Sequence, residues 1–411
     1  MNYRNVFEEF GHSKEEIDAR LEEIFQTIFY GPEGVRFYYP VGDDMGYMTD
    51  TGNNDARSEG MSYGMMMCVQ LDKKEEFDRI WKWVKTYMYL DHGFNKGYYC
   101  WSNALDGTKN ADGPAPDGEE FFSMALIMAS HRWGDGEGVF NYSKEAKDIL
   151  MAMIHNKATM FTLDTHMIRF VAGCGFSDPS YHLPHFYEEY AKFLRDEAAK
   201  LECMSDACEE REMLLDGADF YDECVKASRE YFKKACDPNT GMNAEYANFD
   251  GTPTIGFGTE WGRHDYFFSD AYRTAANMGL DYAWSIAKGQ DPDEFEAIST
   301  AKLRAFYEDK NMPDENGEPH YYVYEINGKQ VPSTENSDFA SSGKVLHPYG
   351  LIATNAQSYL ATDPSLKDKG PGAYAVEQFW NLPLRTGVRR YYDNCLYLFA
   401  FMALSGNYRI W

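Results

Sequence analysis

Three carboxyls, a phenol and an imidazole stand where apolar helical segments begin. In Asp55–Met67, "DARSEGMSYGMMM", Glu59 is a lone carboxyl between a polar loop and a run of residues fit for burial. Asp117 opens "DGEEFFSMALIMASHRW", Tyr187 lies one turn into "LPHFYEEYAKFLRDEAAK", Asp270 opens the helical part of "SDAYRTAANMGLDYAWSIA", and His347 opens "HPYGLIATNAQSYLA". All five side chains can carry a proton. Each also has a plain structural reading. Asp117 with Glu120 three residues on makes a capping box, and Glu59 and Asp270 suit the positive end of a helix dipole. One at a time, capping is the simpler explanation; together, with Trp101, Tyr98 and Tyr99 in a nearby loop, they point to a site.

The elements that must position these groups are helices. "SKEEIDARLEEIFQTIFY" (Ser13–Tyr30) has one apolar side and Ser13 as a cap. Ser58–Leu71 is apolar nearly all round, which marks a helix enclosed by others. Two-faced and enclosed segments then alternate: Lys73–Leu90, Asp117–Trp133, Ser143–Asn156, Leu183–Lys200, Gly217–Cys236, Ser269–Ala287, Asp291–Asp309, His347–Ala361, Pro371–Asn381 and Tyr391–Leu404. About a dozen helices of two alternating kinds pack economically as six inner helices ringed by six outer ones. The expectation is an all-α (α/α)6 barrel forming one domain over residues 1–411. A helical solenoid is the alternative, but no fixed-period repeat is present. In such a barrel the inner helices run the same way, so residues at their N-terminal ends converge on one mouth. Two excursions are expected: the acidic, loop-like 201–219, and 318–343, where "YYVYEINGKQV" fits a hairpin around Asn327–Gly328.

Composition removes several classes of function. Lys plus Arg number 39 against 66 Asp plus Glu, a net charge of −27 that repels phosphate backbones and anionic membrane surfaces, so neither nucleic acid nor a membrane is an expected partner. The N-terminus lacks the apolar core of a signal peptide, and no stretch nears the roughly 18 apolar residues of a membrane span. A soluble, unexported, cytoplasmic protein is expected. Eight cysteines are scattered without a CxxC or paired Cys/His spacing, and are read as free thiols. There is no HExxH, and "GFGTEWG" (Gly256–Gly262) lacks both the Rossmann spacing and a preceding strand, so no metal and no cofactor is expected. Aromatic residues make up 16% of the chain, with 31 Tyr, 27 Phe and 8 Trp. Their faces fit a large core or the stacking surfaces of a carbohydrate groove.

These segments resemble glycoside hydrolase family 8. "DARSEGMSYGMMM" is similar to its acid signature, "WSNALDGTKNADGPAPDGEEFF" (Trp101–Phe122) to its second carboxylate segment, and "SDAYRTAANMGLDYAW" (Ser269–Trp284) to its base segment. "DPSYHLPHFYEEYA" (Asp178–Ala191) and "LHPYGLIATNA" (Leu346–Ala356) resemble a narrower branch, the reducing-end xylose-releasing exo-oligoxylanases.

The resemblance implies inverting hydrolysis of β-1,4-xylosidic bonds in xylooligosaccharides. Glu59 matches the family's general acid and Asp270 its general base, which inversion requires about 6.5–9.5 Å apart so that a water fits. Tyr187 matches a tyrosine that helps hold that water, and Asp117 the acidic residue that steadies the distorted sugar. Trp101 and Arg273 count with the substrate-binding residues. Leu346 and His347 match a kinked loop that closes the groove after one sugar, with His347 on the reducing-end hydroxyl. A helix N-terminus favours a charged carboxylate, so a protonated Glu59 needs an opposing influence; Met61, Met65, Met66 and the field of Asp117 are expected to supply it. An endo-acting family 8 hydrolase on xylan, β-glucan or chitosan is the alternative enzyme. A non-catalytic sugar-binding toroid is the alternative outside enzymes.

Overall fold

The number of apolar faces sorts the helices of this chain. The computed structural model describes residues 1–201, 205–258, 263–332, 343–365, 370 and 372–411. Within them the α-helices are α1 (Val6–Glu9), α2 (Lys14–Tyr30), α3 (Ser58–Gln70), α4 (Lys74–Trp83), α5 (Pro116–Trp133), α6 (Tyr142–His155), α7 (Pro184–Lys200), α8 (Ser205–Ala235), α9 (Ala271–Ala287), α10 (Glu294–Tyr307), α11 (Pro348–Gln357), α12 (Ala373–Trp380) and α13 (Arg390–Leu404). The strands are short: β1 (Tyr38–Val41), β2 (Met45–Met48), β3 (Ala56–Arg57), β4 (Ser102–Asn103), β5 (Phe176–Ser177) and β6 (Ala247–Asn248). They pair antiparallel as β1 with β2, β3 with β4, and β5 with β6.

Most helices fall close to where the hydrophobic period puts them. Two differ. The segment expected as one helix to Leu90 changes to a π-helical turn at Val84–Met88. The acidic stretch expected as a loop is helical from Ser205, so that α8 runs 31 residues. Its Glu, Arg, Met and Leu are strong helix formers, and the lack of a sustained apolar face hid them. The expected hairpin is present up to residue 332: Glu325 N–H bonds Lys329 O at 2.9 Å, Val331 N–H bonds Val323 O at 2.9 Å, and Gly328 turns the chain at φ 87°. Residues 333–342 of that excursion lie outside the described residues.

The chain divides into two units. One comprises Phe37–Cys174, Leu183–Ser228 and Arg409–Trp411. In it α3 and α5 are buried almost all round, with α4 against α3 and α6 against α5. Gln70, at the end of α3, is buried and takes both ends of its amide to the C-terminal tail: Nε2 donates to Arg409 O (2.9 Å), and Oε1 accepts from Arg409 N–H (3.0 Å) and Trp411 Nε1 (3.0 Å).

The other unit comprises Met1–Arg36, Gly175–His182 and Arg229–Tyr408. Here α13 is buried throughout and packs on α11, α9 and α2. Arg229 meets the buried Asp281 with two bonds of 2.8 Å, tying the last turns of α8 to α9. Asp281 needs its partner, since alone it would be an uncompensated buried charge.

Helix starts differ in capping. Ser13 caps α2 by accepting from Glu16 N–H (3.2 Å), Asn141 caps α6 at Lys144 N–H (3.2 Å), and Asp293 caps α10 at Phe295 N–H (2.9 Å). The enclosed helices α3, α5, α7, α9, α11 and α13 begin with no side-chain cap bond, as do the two-faced α4 and α12. Six cysteines are free (68, 100, 174, 224, 236 and 395), but Cys208 is disulfide-bonded, which corrects the reading of thiols throughout. Among the described residues no helix is long and apolar enough to cross a membrane, and no group of three His, Cys, Asp or Glu could hold a metal ion.

Candidate active site

In the first unit a glycine brings two helix starts together. A Cβ on Gly118 would stand 2.6 Å from both Cβ and Oγ of Ser58, so only glycine lets the first turn of α5 lie against the first turn of α3. That contact sets Glu59, half-buried at the second position of α3, beside the turn that carries the buried Asp117. Asp117 Oδ1 accepts the Gly118 N–H (2.9 Å). The capping-box reading is not realised: Ala115 is the N-cap of α5, and Glu120 Oε1 instead accepts from the Tyr187 hydroxyl (2.6 Å).

Trp101 joins this group through the backbone. Ser58 N–H bonds Trp101 O (3.0 Å), and β3 pairs with β4 so that Arg57 faces Ser102. Trp101 is 39% exposed, with the Arg57 guanidinium 5.5 Å from its ring centre. Arg57 is itself held by Asp50 (3.1 Å) and Asp55 (3.2 Å), and Asp55 accepts from Ser102 Oγ (2.7 Å). A partly exposed indole on a fixed backbone is a platform on which a sugar face can stack.

Tyr187 is fully buried. Its hydroxyl proton is committed to Glu120, and burial, reinforced by that carboxyl, holds the phenol well above its ordinary range. Toward any further partner the oxygen acts as an acceptor. Of the methionines expected around Glu59, Met61 Sδ accepts the Met48 N–H (3.1 Å) and Met66 Sδ lies 3.7 Å from Gln70 Nε2. Both are buried against structural partners. Glu119, which the sequence did not single out, is fully buried; Oε1 accepts the Tyr99 N–H (2.8 Å), and burial pushes its carboxyl well up.

In the second unit Asp270 is the N-cap of α9 and is surrounded by donors. The Tyr392 hydroxyl donates to Oδ1 (2.7 Å), and Arg273, one turn on, brings Nη2 to 3.3 Å from Oδ2. Arg273 is buried, with Nε bonded to Ser180 Oγ (3.2 Å) and Nη2 3.7 Å from Asp178 Oδ2. Asp178 is completely buried. Burial and the neighbouring Asp270 push its carboxyl well up, and Arg273 opposes them. Neither Tyr392 nor Asp178 was singled out from sequence, because only the folded chain brings them to Asp270.

His347, the N-cap of α11, has Nδ1 2.9 Å from Asp393 Oδ2, and its ring lies 4.7 Å from that of Tyr392. Asp393 also accepts the Gly350 N–H (2.6 Å) and pairs with Arg385, whose Nη1 donates to Leu346 O (2.9 Å). With a carboxylate at Nδ1, the proton belongs there and Nε2 is left as the acceptor. One network thus fixes Leu346, His347, Tyr392 and Asp270.

An all-helical chain whose uncapped helix starts carry carboxyls, with an indole platform beside one of them, has the parts of a glycoside hydrolase. The model of the glycosyl hydrolases family 8 matches residues 33–210. The reducing end xylose-releasing exo-oligoxylanase of Halalkalibacterium halodurans is 47% identical over 100% of this chain and 94% of its own length, and the enzyme of that name from Bifidobacterium adolescentis is 42% identical over 98% and 96%. A solved structure of a variant of Rex8A from Paenibacillus barcinonensis, complexed with 3(3)-alpha-L-arabinofuranosyl-xylotetraose, superposes with a TM-score of 0.85 at 44% identity over 100% of this chain and 96% of that one. The chain belongs to glycosyl hydrolase family 8. Its fold class is the (α/α)6 barrel of that family.

Proposed function

We propose that this chain is an inverting hydrolase that releases xylose from the reducing end of β-1,4-xylooligosaccharides, with Glu59 as general acid and Asp270 as general base. The observation that carries the reading is the donor set at Asp270: the Tyr392 hydroxyl on one oxygen and the Arg273 guanidinium on the other, as suits a proton-accepting carboxylate. Full-length identity to enzymes named for this activity supports it.

In this mechanism Glu59 protonates the leaving oxygen, and Asp270 takes a proton from a water attacking the opposite face. Asp117 binds hydroxyls of the distorted sugar. Tyr187, fully buried with its proton on Glu120, stands apart from the reacting groups, which corrects its expected place beside the attacking water. Trp101 stacks on a sugar face. Arg273 orients Asp270 and works with the substrate-binding groups. His347 accepts the reducing-end hydroxyl through Nε2, and Leu346 bars any further sugar. We read residues 1–411 as one catalytic domain with insertions near 201–219 and 318–343; the relatives' near-complete coverage supports it.

We place the protein in the cytoplasm, where short imported oligosaccharides would be its substrates. Six free cysteines agree with a reducing compartment, the bond at Cys208 does not, and cell fractionation decides. The surface charge favours neutral oligosaccharides over nucleic acid.

Xylotriose labelled at its reducing-end sugar tests the activity. Labelled xylose should appear with unlabelled xylobiose, whose new reducing end is first seen by NMR as the α anomer. Unlabelled xylose, a first-formed β anomer, or internal cleavage of longer chains without xylose release would overturn the reading.

A further inference from the structure

We propose that Glu245, braced by His264, is a positioning residue for Asp270, a reading that rests on Asp270 being the general base. Asp270 follows Ser269, whose φ of 40° is a conformation that side-chain-bearing residues keep only where their surroundings hold it. As the N-cap of α9, Asp270 also has a main-chain N–H with no acceptor in its own helix. Glu245 provides one: its Oε1 lies 3.3 Å from that N–H. The strained turn is thereby pinned at the residue whose Cβ direction aims the base.

The anchor is rigid in its turn. Glu245 Oε2 is 2.5 Å from His264 Nδ1, and the His264 ring stacks on Tyr246 with centres 4.1 Å apart and planes 17° apart. Glu245 N–H bonds Tyr266 O (2.9 Å), and Tyr246 N–H bonds His264 O (2.8 Å), so main-chain bonds lock residues 245–246 against 264–266. Glu245 and His264 are both buried. Burial pushes the Glu245 carboxyl up, and its hydrogen bond with His264 opposes that push. One oxygen therefore faces the base's backbone and the other its own brace. Tyr392 and Arg273 then receive the Asp270 carboxyl already in place.

Steady-state kinetics on xylotriose with Glu245→Ala, Glu245→Gln and His264→Phe test this. Glu245→Ala should lower kcat about 10- to 100-fold, the cost of a misplaced catalytic group, with KM within about twofold of the parent. Glu245→Gln, which keeps Oε1, should recover most of that loss. His264→Phe, which keeps the stack but loses the brace, should fall between them. A folded Glu245→Ala with parent-like kcat, or a Gln variant no better than Ala, overturns the assignment. If Glu245→Ala does not fold, His264→Phe decides: lower kcat at unchanged KM supports it, and parent-like kcat overturns it. Asp270→Asn separates the two readings. If it stays active, the base assignment fails; if it is inactive while Glu245→Ala is parent-like, only the positioning role fails.

Discussion

The start of α3 and the start of α9 each carry a half-buried carboxyl with no side-chain cap bond, yet they are built from different materials. At α3 the construction is steric. A glycine admits Ser58 at a distance no other residue permits, and the polar groups behind it are carboxyls and a buried phenol. At α9 the construction is polar, with Tyr392, Arg273 and Glu245 all directed at Asp270. A group that must surrender a proton needs surroundings that tolerate its neutral form, and one that must accept a proton needs donors around its anion. If Glu59 is the acid and Asp270 the base, as proposed, the two helix starts have these opposite needs to meet.

The largest test of that contrast removes each carboxyl in turn. Glu59→Gln and Asp270→Asn should each lower kcat on xylotriose by about 10²- to 10⁴-fold. They should part company on a xylobioside with a nitrophenolate leaving group, which departs without a proton. Glu59→Gln should regain most of its activity there, and Asp270→Asn should not. Equal recovery, or none in either, would erase the proposed division of labour.

A smaller effect is expected from the steric side alone. Gly118→Ala puts a Cβ against Ser58, and overpacking of this kind costs about 1–3 kcal/mol. It should lower Tm and, by displacing the first turn of α3, lower kcat about tenfold. Ser58→Gly in the same chain removes the facing Cβ and should return much of both losses, whereas additive effects would mean that the two residues do not press on each other. Among the described residues no glycine makes a comparable approach at the start of α9, where Tyr392→Phe is the corresponding lesion. It deletes one donor to Asp270 and should lower kcat with little change in Tm.

These two constructions were unequally legible in the sequence. Helix starts could be read because a change from polar loop to an apolar run of period 3.6 is local, and Glu59, Asp117, Asp270 and His347 all stand at such changes. The partners of Asp270 come from distant segments. Tyr392 reads as one more aromatic in an enclosed helix, Asp178 as a turn residue, and Glu245 as a lone acid in a loop; nothing periodic marks them. Glu120 misled in a specific way, because its spacing from Asp117 satisfies the capping-box pattern while its carboxyl turns to Tyr187. The available hint was Pro116, which suits the first helical position and moves the cap back to Ala115. In α8 the good helix formers of residues 209–215 were the overlooked signal.

The smallest expected effect belongs to Glu119 and tests how far the first helix start tolerates charge. Burial, with a further push from Asp117, holds its carboxyl well above the ordinary value of 4.5, while the Tyr99 N–H opposes this. A carboxyl raised in the folded state favours folding fully below its unfolded value, and that contribution is lost as pH rises through the folded one. Glu119→Gln keeps an oxygen for Tyr99 and cannot ionise. Its Tm should match the parent's near pH 4 and exceed it increasingly at higher pH, by on the order of 2 °C at neutrality. A Gln variant less stable than the parent at neutral pH would mean that Glu119 is used as an anion, and that the start of α3 is as charged in its construction as the start of α9.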